Sequence, residues 1–288
     1  MNNIFTMPRI IMIMRFLYVF IVFISTYPLS GQELTEWCGA DRIGAELFST
    51  NPDLQNDILK KEDELRKFTQ GYKSSNPARS NDSLLIVPVV FHVIHNYGNE
   101  NISDEQILSG LSVLNRTFRK RHPDTATIEA IYKPLAADCE IEFRLARKDP
   151  KGRCTSGINR IVSPLTSVGD HSVKNFIQWD PAKYLNVYVV KQIPNLAGHC
   201  LMPSQAAAKP EWDGIVISHQ YLGNIGTSNE QRSVVMAHEA GHYLNLYHIW
   251  GGNNVPGYYY LPVGQAVNCT IGDEVDDTPP TIGWSVCS

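Results

Sequence analysis

The sequence has no CxxC pair among its six cysteines, which removes a zinc knuckle and a dithiol redox motif from consideration. There is no surplus of positive charge: 25 Lys and Arg against 29 Asp and Glu give a net charge of -4, so no polyanion partner and no nucleic acid is indicated. No apolar run reaches the roughly 20 residues that a membrane-spanning helix requires. The longest, Phe16–Ile24, argues against a permanent membrane anchor, and no cysteine follows it to accept a lipid. Internal repeats and low-complexity tracts are absent, and no methionine follows Met236.

What is present begins with that apolar run. Arg15 precedes it, and Ser25, Thr26, Pro28, Ser30 and Gly31 follow it, which is the shape of a secretory signal peptide cleaved near Gly31. A secreted, extracellular protein is expected, and six cysteines suit a compartment where disulfide bonds persist. The remaining chain, 43% hydrophobic and 19% charged, has an ordinary globular composition with room for one main domain.

Asp53–Tyr72 is highly charged with sparse apolar positions and reads as a solvated helix. "GYKSSNPARSNDS", Gly71–Ser83, reads as a linker or exposed cleavage site, with Lys73 and Arg79 offering basic positions. Leu84–Asn96 is a β-branched run suited to a buried strand, provided Pro88 finds an edge or bulge. Ser103 and Gln106 make a capping box ahead of Ile107, Leu108, Leu111, Leu114 and Phe118 at helical spacing. Further strands are expected in "EIEFRLAR", "YLNVYVVK" and "GIVISHQY". Strands mixed with helices make the fold class α/β (α+β), a layered arrangement.

The chemistry concentrates in "HEAGHYLNLYH", His238–His248. Ser228 and Gln231 read as a second capping box, opening a helix through "RSVVMAHEAGHYL". On it, His238 and His242 project from one face at neighbouring heights and can grip one cation; zinc takes imidazole nitrogen in tetrahedral geometry. Glu239 lies about 100° round the helix, beside such a metal and placed to take a proton from an activated water. His248 is too far round for a straight helix to deliver, so the chain must turn, with Asn245 as the residue suited to a positive φ. His92 and His95 have no such partner spacing.

This stretch resembles the metzincin signature HExxHxxGxxH. Together with "IVPVVFHVIHN", "NISDEQILSGLSVLNRTF", "IEFRLARKDPKG", "GINRI", "LNVYVV" and "GDEVDDTP", it makes the chain from about Cys38 onward similar to the pappalysin family of secreted metallopeptidases. The resemblance implies a twisted mixed sheet with long helices above a cleft and an irregular subdomain below. His238, His242 and His248 would bind zinc, Glu239 would be the general base, and peptide or protein substrates would lie along an edge strand near "AGHCLMPS". By the same resemblance, Cys38 in "TEWCGA" would occupy the metal in a latent zymogen; a plain disulfide is the competing reading. Asp273, Asp276 and Asp277 would suit calcium, with a solvated acidic turn as the alternative.

The expected organisation is a signal peptide over 1–31, a prosegment over 32–79, an upper catalytic subdomain over 80–248 and the start of a lower subdomain over 249–288. Two departures from the family pattern stand out: Asn245 replaces a glycine, and no Met-turn follows His248 before Ser288. A chain truncated before that turn is expected, and with it an alternative reading as a catalytically impaired zinc-binding homologue. A third arrangement would make Glu274 the last ligand.

Overall fold

The computed structural model describes residues 36–75, 84–251, 272–275 and 277. The expected signal peptide, Arg79, Asp276, Cys269 and Cys287 lie outside the described residues. The elements in chain order are β1 (Glu36–Cys38), α1 (Ala40–Thr50), α2 (Leu54–Ser75), β2 (Leu85–His95), α3 (Asp104–Phe118), β3 (Ile141–Leu145), β4 (Ile158–Val162), β5 (Leu185–Val190), β6 (Leu196–His199), α4 (Pro203–Ala208), β7 (Ile215–Ser218) and α5 (Val235–Tyr243), with short 3-10 turns between them.

One mixed sheet organises these elements, in the order β1-β6-β7-β5-β2-β3, and β4 also pairs with β2. The eleven residues of β2 make it long enough to hold β3 along its first half (Leu85 opposite Ile141) and β4 along its second (Phe91 opposite Ile158). The ladder to β5 starts at Val89, one residue past Pro88, so proline's missing N–H is not needed there. Strand β6 runs antiparallel to β7, and β1 covers its outer edge in parallel, with Cys38 opposite Gly198.

Side chains alternate across the sheet. Val89, Phe91 and Val93 of β2 join Val187, Val189, Ile215 and Ile217 under α3 and α5, which contribute Ile107, Leu114, Phe118, Met236 and Ala240. Ile94, Tyr188, Val190 and Val216 face the other side and pack with Val173 and Leu196. Burial of each large apolar side chain contributes about 1.5–3 kcal/mol, so this double-sided core dominates stability. A separate cluster, Ile43, Leu47, Ile58 and Leu201, fixes α1 and α2 against α4.

Local chemistry explains where the helices start. The Ser103 hydroxyl accepts from the Gln106 backbone N–H (3.2 Å), while the Gln106 side chain leaves the box to donate to the Leu222 carbonyl (3.0 Å). Two sequence readings are corrected. Residues 230–234 are turns capped by the Asn229 side chain on Arg232 N–H (3.1 Å), and Ser228 Oγ, itself buried, has no partner among the described residues, so the catalytic-motif helix begins only at Val235. Residues 71–75, read as linker, continue α2 through Gly71.

Lys174 is buried behind the sheet, its Nζ donating to the carbonyls of Trp212 (2.5 Å) and Gly214 (2.9 Å). Burial lowers its pKa to about 7. The folded state therefore binds fewer protons than the unfolded chain between about pH 7 and the ordinary lysine value near 10.4. Stability should rise with pH across that window and be insensitive to this group below it. Urea denaturation at several pH values should show the parent gaining on Lys174→Met between pH 7 and 10.

Candidate metal centre and catalytic site

The helix α5 ends in a left-handed turn. Asn245 has φ 72°; its N–H bonds to the His242 carbonyl (2.9 Å), and the N–H of Leu246 reaches back to the Gly241 carbonyl (2.9 Å). This is the Schellman pattern, with asparagine in the position that glycine usually fills. Chain reversal at this point carries His248 back towards the helix face that bears His238 and His242.

Three Nε2 atoms meet there. His242 Nε2 lies 3.1 Å from His238 Nε2 and 3.1 Å from His248 Nε2, and the last two are 3.3 Å apart. Tetrahedral donors at zinc–nitrogen bond lengths of about 2.0–2.1 Å are roughly 3.3 Å from one another, so the triangle fits that ion. Nδ1–H of His242 donates to the Leu246 carbonyl (2.7 Å), which leaves its Nε2 lone pair facing the centre. Cys38 Sγ stands 3.3 Å from His242 Nε2 and completes a group whose four ligand atoms lie within 4.8 Å of one another. The backbone reason is the β1–β6 pairing, continued by Gly39 N–H to the Gly198 carbonyl (3.0 Å). A side chain at Gly39 would collide with Leu196 and come within 2.9 Å of His199 Cβ.

Glu239 is fully buried beside this group, and neither carboxylate oxygen has a hydrogen-bond partner among the described residues. Burial raises its pKa to about 8, an increase tempered by the nearby thiols of Cys200 and Cys38. A carboxyl group held off its ordinary value and left unpartnered in a buried site is suited to proton transfer. Gly198 makes room for it: a Cβ there would sit 3.0 Å from Glu239 Cγ.

The other residues singled out by sequence fall elsewhere. His92 is buried in β2 between Asn186 (3.0 Å) and Asn159 (3.2 Å) and takes no part in the metal group. Glu274, the last ligand in the third arrangement, is instead held by Arg66 of α2 through two bonds of 3.1 and 2.8 Å and lies outside the histidine group. One helical turn earlier Glu62 accepts from Tyr247 Oη (2.8 Å). Asp273 accepts from the Val275 N–H (3.0 Å) and Asp277 is exposed. Among the described residues only the histidine and cysteine group brings three or more ligand atoms together, so the calcium reading has no support. Among the described residues Cys139, Cys154 and Cys200 form no disulfide with one another. Sequence reasoning did not find the contacts of Gly198 and Cys200 with Glu239, which are long-range, or that of the Leu246 carbonyl, which is a backbone contact, nor did it find the ring stack of Trp250 on His248 two residues before it.

A mixed sheet above a helix carrying HExxH, with a third histidine returned by a tight turn, defines a metzincin-type metallopeptidase. Comparisons with known proteins agree. Residues 168–288 match the peptidase M43 family, described as pregnancy-associated plasma protein-A. Tannerella forsythia promirolysin, solved as a mutant, superposes with a TM-score of 0.67 at 29% identity, covering 86% of this chain and 77% of that one. Mature mirolysin, solved with a cleaved peptide, gives 0.62 at 32% identity over 70% and 74%. An extracellular metalloprotease of Arthroderma otae is 20% identical over 220 residues, 75% of this chain and 67% of the relative. The chain belongs to the pappalysin family, peptidase family M43. Among the described residues no helix is long and apolar enough to cross a membrane.

The turn makes a stability prediction. Asn245→Gly should change stability by only a few tenths of a kcal/mol, whereas Asn245→Val, β-branched at positive φ, should cost about 1–2 kcal/mol in urea denaturation.

Proposed function

We propose that the protein is a secreted, zinc-dependent endopeptidase that hydrolyses peptide bonds in proteins and is made as a zymogen. The observation that carries this reading is the convergence of three imidazole Nε2 atoms at 3.1–3.3 Å beside the buried carboxyl group of Glu239. His238, His242 and His248 would hold the metal, leaving one tetrahedral corner for Cys38 or for water. Zinc bound there supplies Lewis acidity, lowering the pKa of water and polarising a carbonyl.

The chain's own residues supply the rest. Glu239 would accept a proton at its carboxylate and return it to the leaving amine. Strand β6 would pair with an extended substrate backbone once β1 no longer covers it, which gives affinity with little dependence on side chains. Cys38, whose sulfur faces the histidines, would keep water out of the site until residues 32–79 are removed. The parallel pairing of β1 with β6 and the apolar packing of α1 and α2 support that latent arrangement.

Metal analysis alongside hydrolysis of casein or gelatin, with and without chelator, tests the reading. Glu239→Ala should keep its zinc and lose roughly 100- to 10,000-fold in rate. Stoichiometric zinc with no hydrolysis in the parent would favour a zinc-binding homologue without catalysis; an Ala variant as fast as its parent would remove Glu239 as the base. Cys38→Ala should shorten the lag before the full chain becomes active, and an unchanged lag would count against thiolate-based latency.

A further inference from the structure

Two of the three converging imidazoles leave one rigid helix, whereas His248 stands on the turn beyond it. That turn closes tightly: the Gly251 N–H donates to the His248 carbonyl (2.8 Å), with Gly251 at φ 110°. Only a residue without Cβ takes that backbone conformation readily. Closure folds the half-buried Trp250 back onto His248, and the two rings stack at 4.7 Å between centroids with planes 8° apart. The ring of His248 in turn stands nearly perpendicular to that of His242, at 90°, with their Nε2 atoms 3.1 Å apart.

We propose that Trp250 is a positioning residue for the metal centre, whose indole face fixes the plane of the His248 imidazole so that Nε2 points at the site. The proposal rests on the zinc reading above. An imidazole that donates its lone pair to a cation becomes electron-poor, and an electron-rich indole is the best aromatic partner for such a ring. The stack therefore stabilises the ligating state of His248 more than the free one. Simple burial of apolar surface would not discriminate between these states and would be served by any bulky aliphatic side chain.

Trp250→Phe and Trp250→Leu in the full chain separate the two roles. Zinc affinity is measured by chelator competition, and ligand geometry by the visible absorption of the cobalt-substituted protein. Trp250→Leu should bind zinc about tenfold more weakly, as is usual when a residue supporting a metal ligand is lost, and should shift the cobalt bands. Trp250→Phe should remain close to the parent in both. If the Leu variant does not fold, Trp250→Met is read against Phe in the same way. An aliphatic variant with parental zinc affinity and an unaltered cobalt spectrum overturns the proposal while leaving the zinc reading intact. A parent that binds no zinc overturns both.

Discussion

Three imidazole nitrogens directed at one point, from the buried rings of His242 and His248 and the more exposed ring of His238, are the constraint on which the rest of this structure depends. Bare lone pairs at about 3 Å repel one another, and the burial of His242 and His248 removes part of the water that would screen them. A cation at their centre reverses the sign of the interaction, so the folded arrangement and metal binding are linked. The helix supplies two of the nitrogens through its four-residue spacing, and the turn at Asn245 supplies the third. Removal of the positive φ at that residue would separate the halves of the site more effectively than most changes in the core.

The sheet holds this centre from two directions. Met236 and Ala240 anchor α5 in the core beneath α3, which orients the histidine face towards β6. Strand β6 contributes Gly198, whose missing side chain admits the Glu239 carboxylate, and the residue after the strand, Cys200, donates its thiol to the Glu239 carbonyl (3.3 Å). A strand edge and a helix thus meet at the one glutamate that the proposed chemistry requires.

Magnitudes separate the contacts that hold the N-terminal elements. The Arg66–Glu274 pair is about half exposed on both sides, and pairs of that kind contribute roughly 0–1 kcal/mol. Ile43, Leu47 and Ile58 are buried against Leu201, and each contributes about 1.5–3 kcal/mol. Apolar packing and strand pairing hold α1, α2 and β1 in place, and the charged contacts with Tyr247 and Glu274 fix register more than strength. Cys38 reaches the histidines because its strand is held along the sheet edge.

Periodicity by itself determined the strands β2, β3, β5 and β7, the helix after Ser103 and the pairing of His238 with His242, since each depends only on spacing within a single element. The identity of Asn245 likewise foretold its left-handed turn, because few residues tolerate that conformation. Tertiary structure alone decided the remainder. It turned residues 230–234 into turns in place of helix, engaged Glu274 with Arg66, left Asp273 and Asp277 outside any ligand cluster among the described residues, and set Trp250 on His248. The physical reason is that local spacing fixes which way a side chain leaves its own element, whereas its partners are set by strand register and packing between segments up to about 200 residues apart, as with Cys38 and His242.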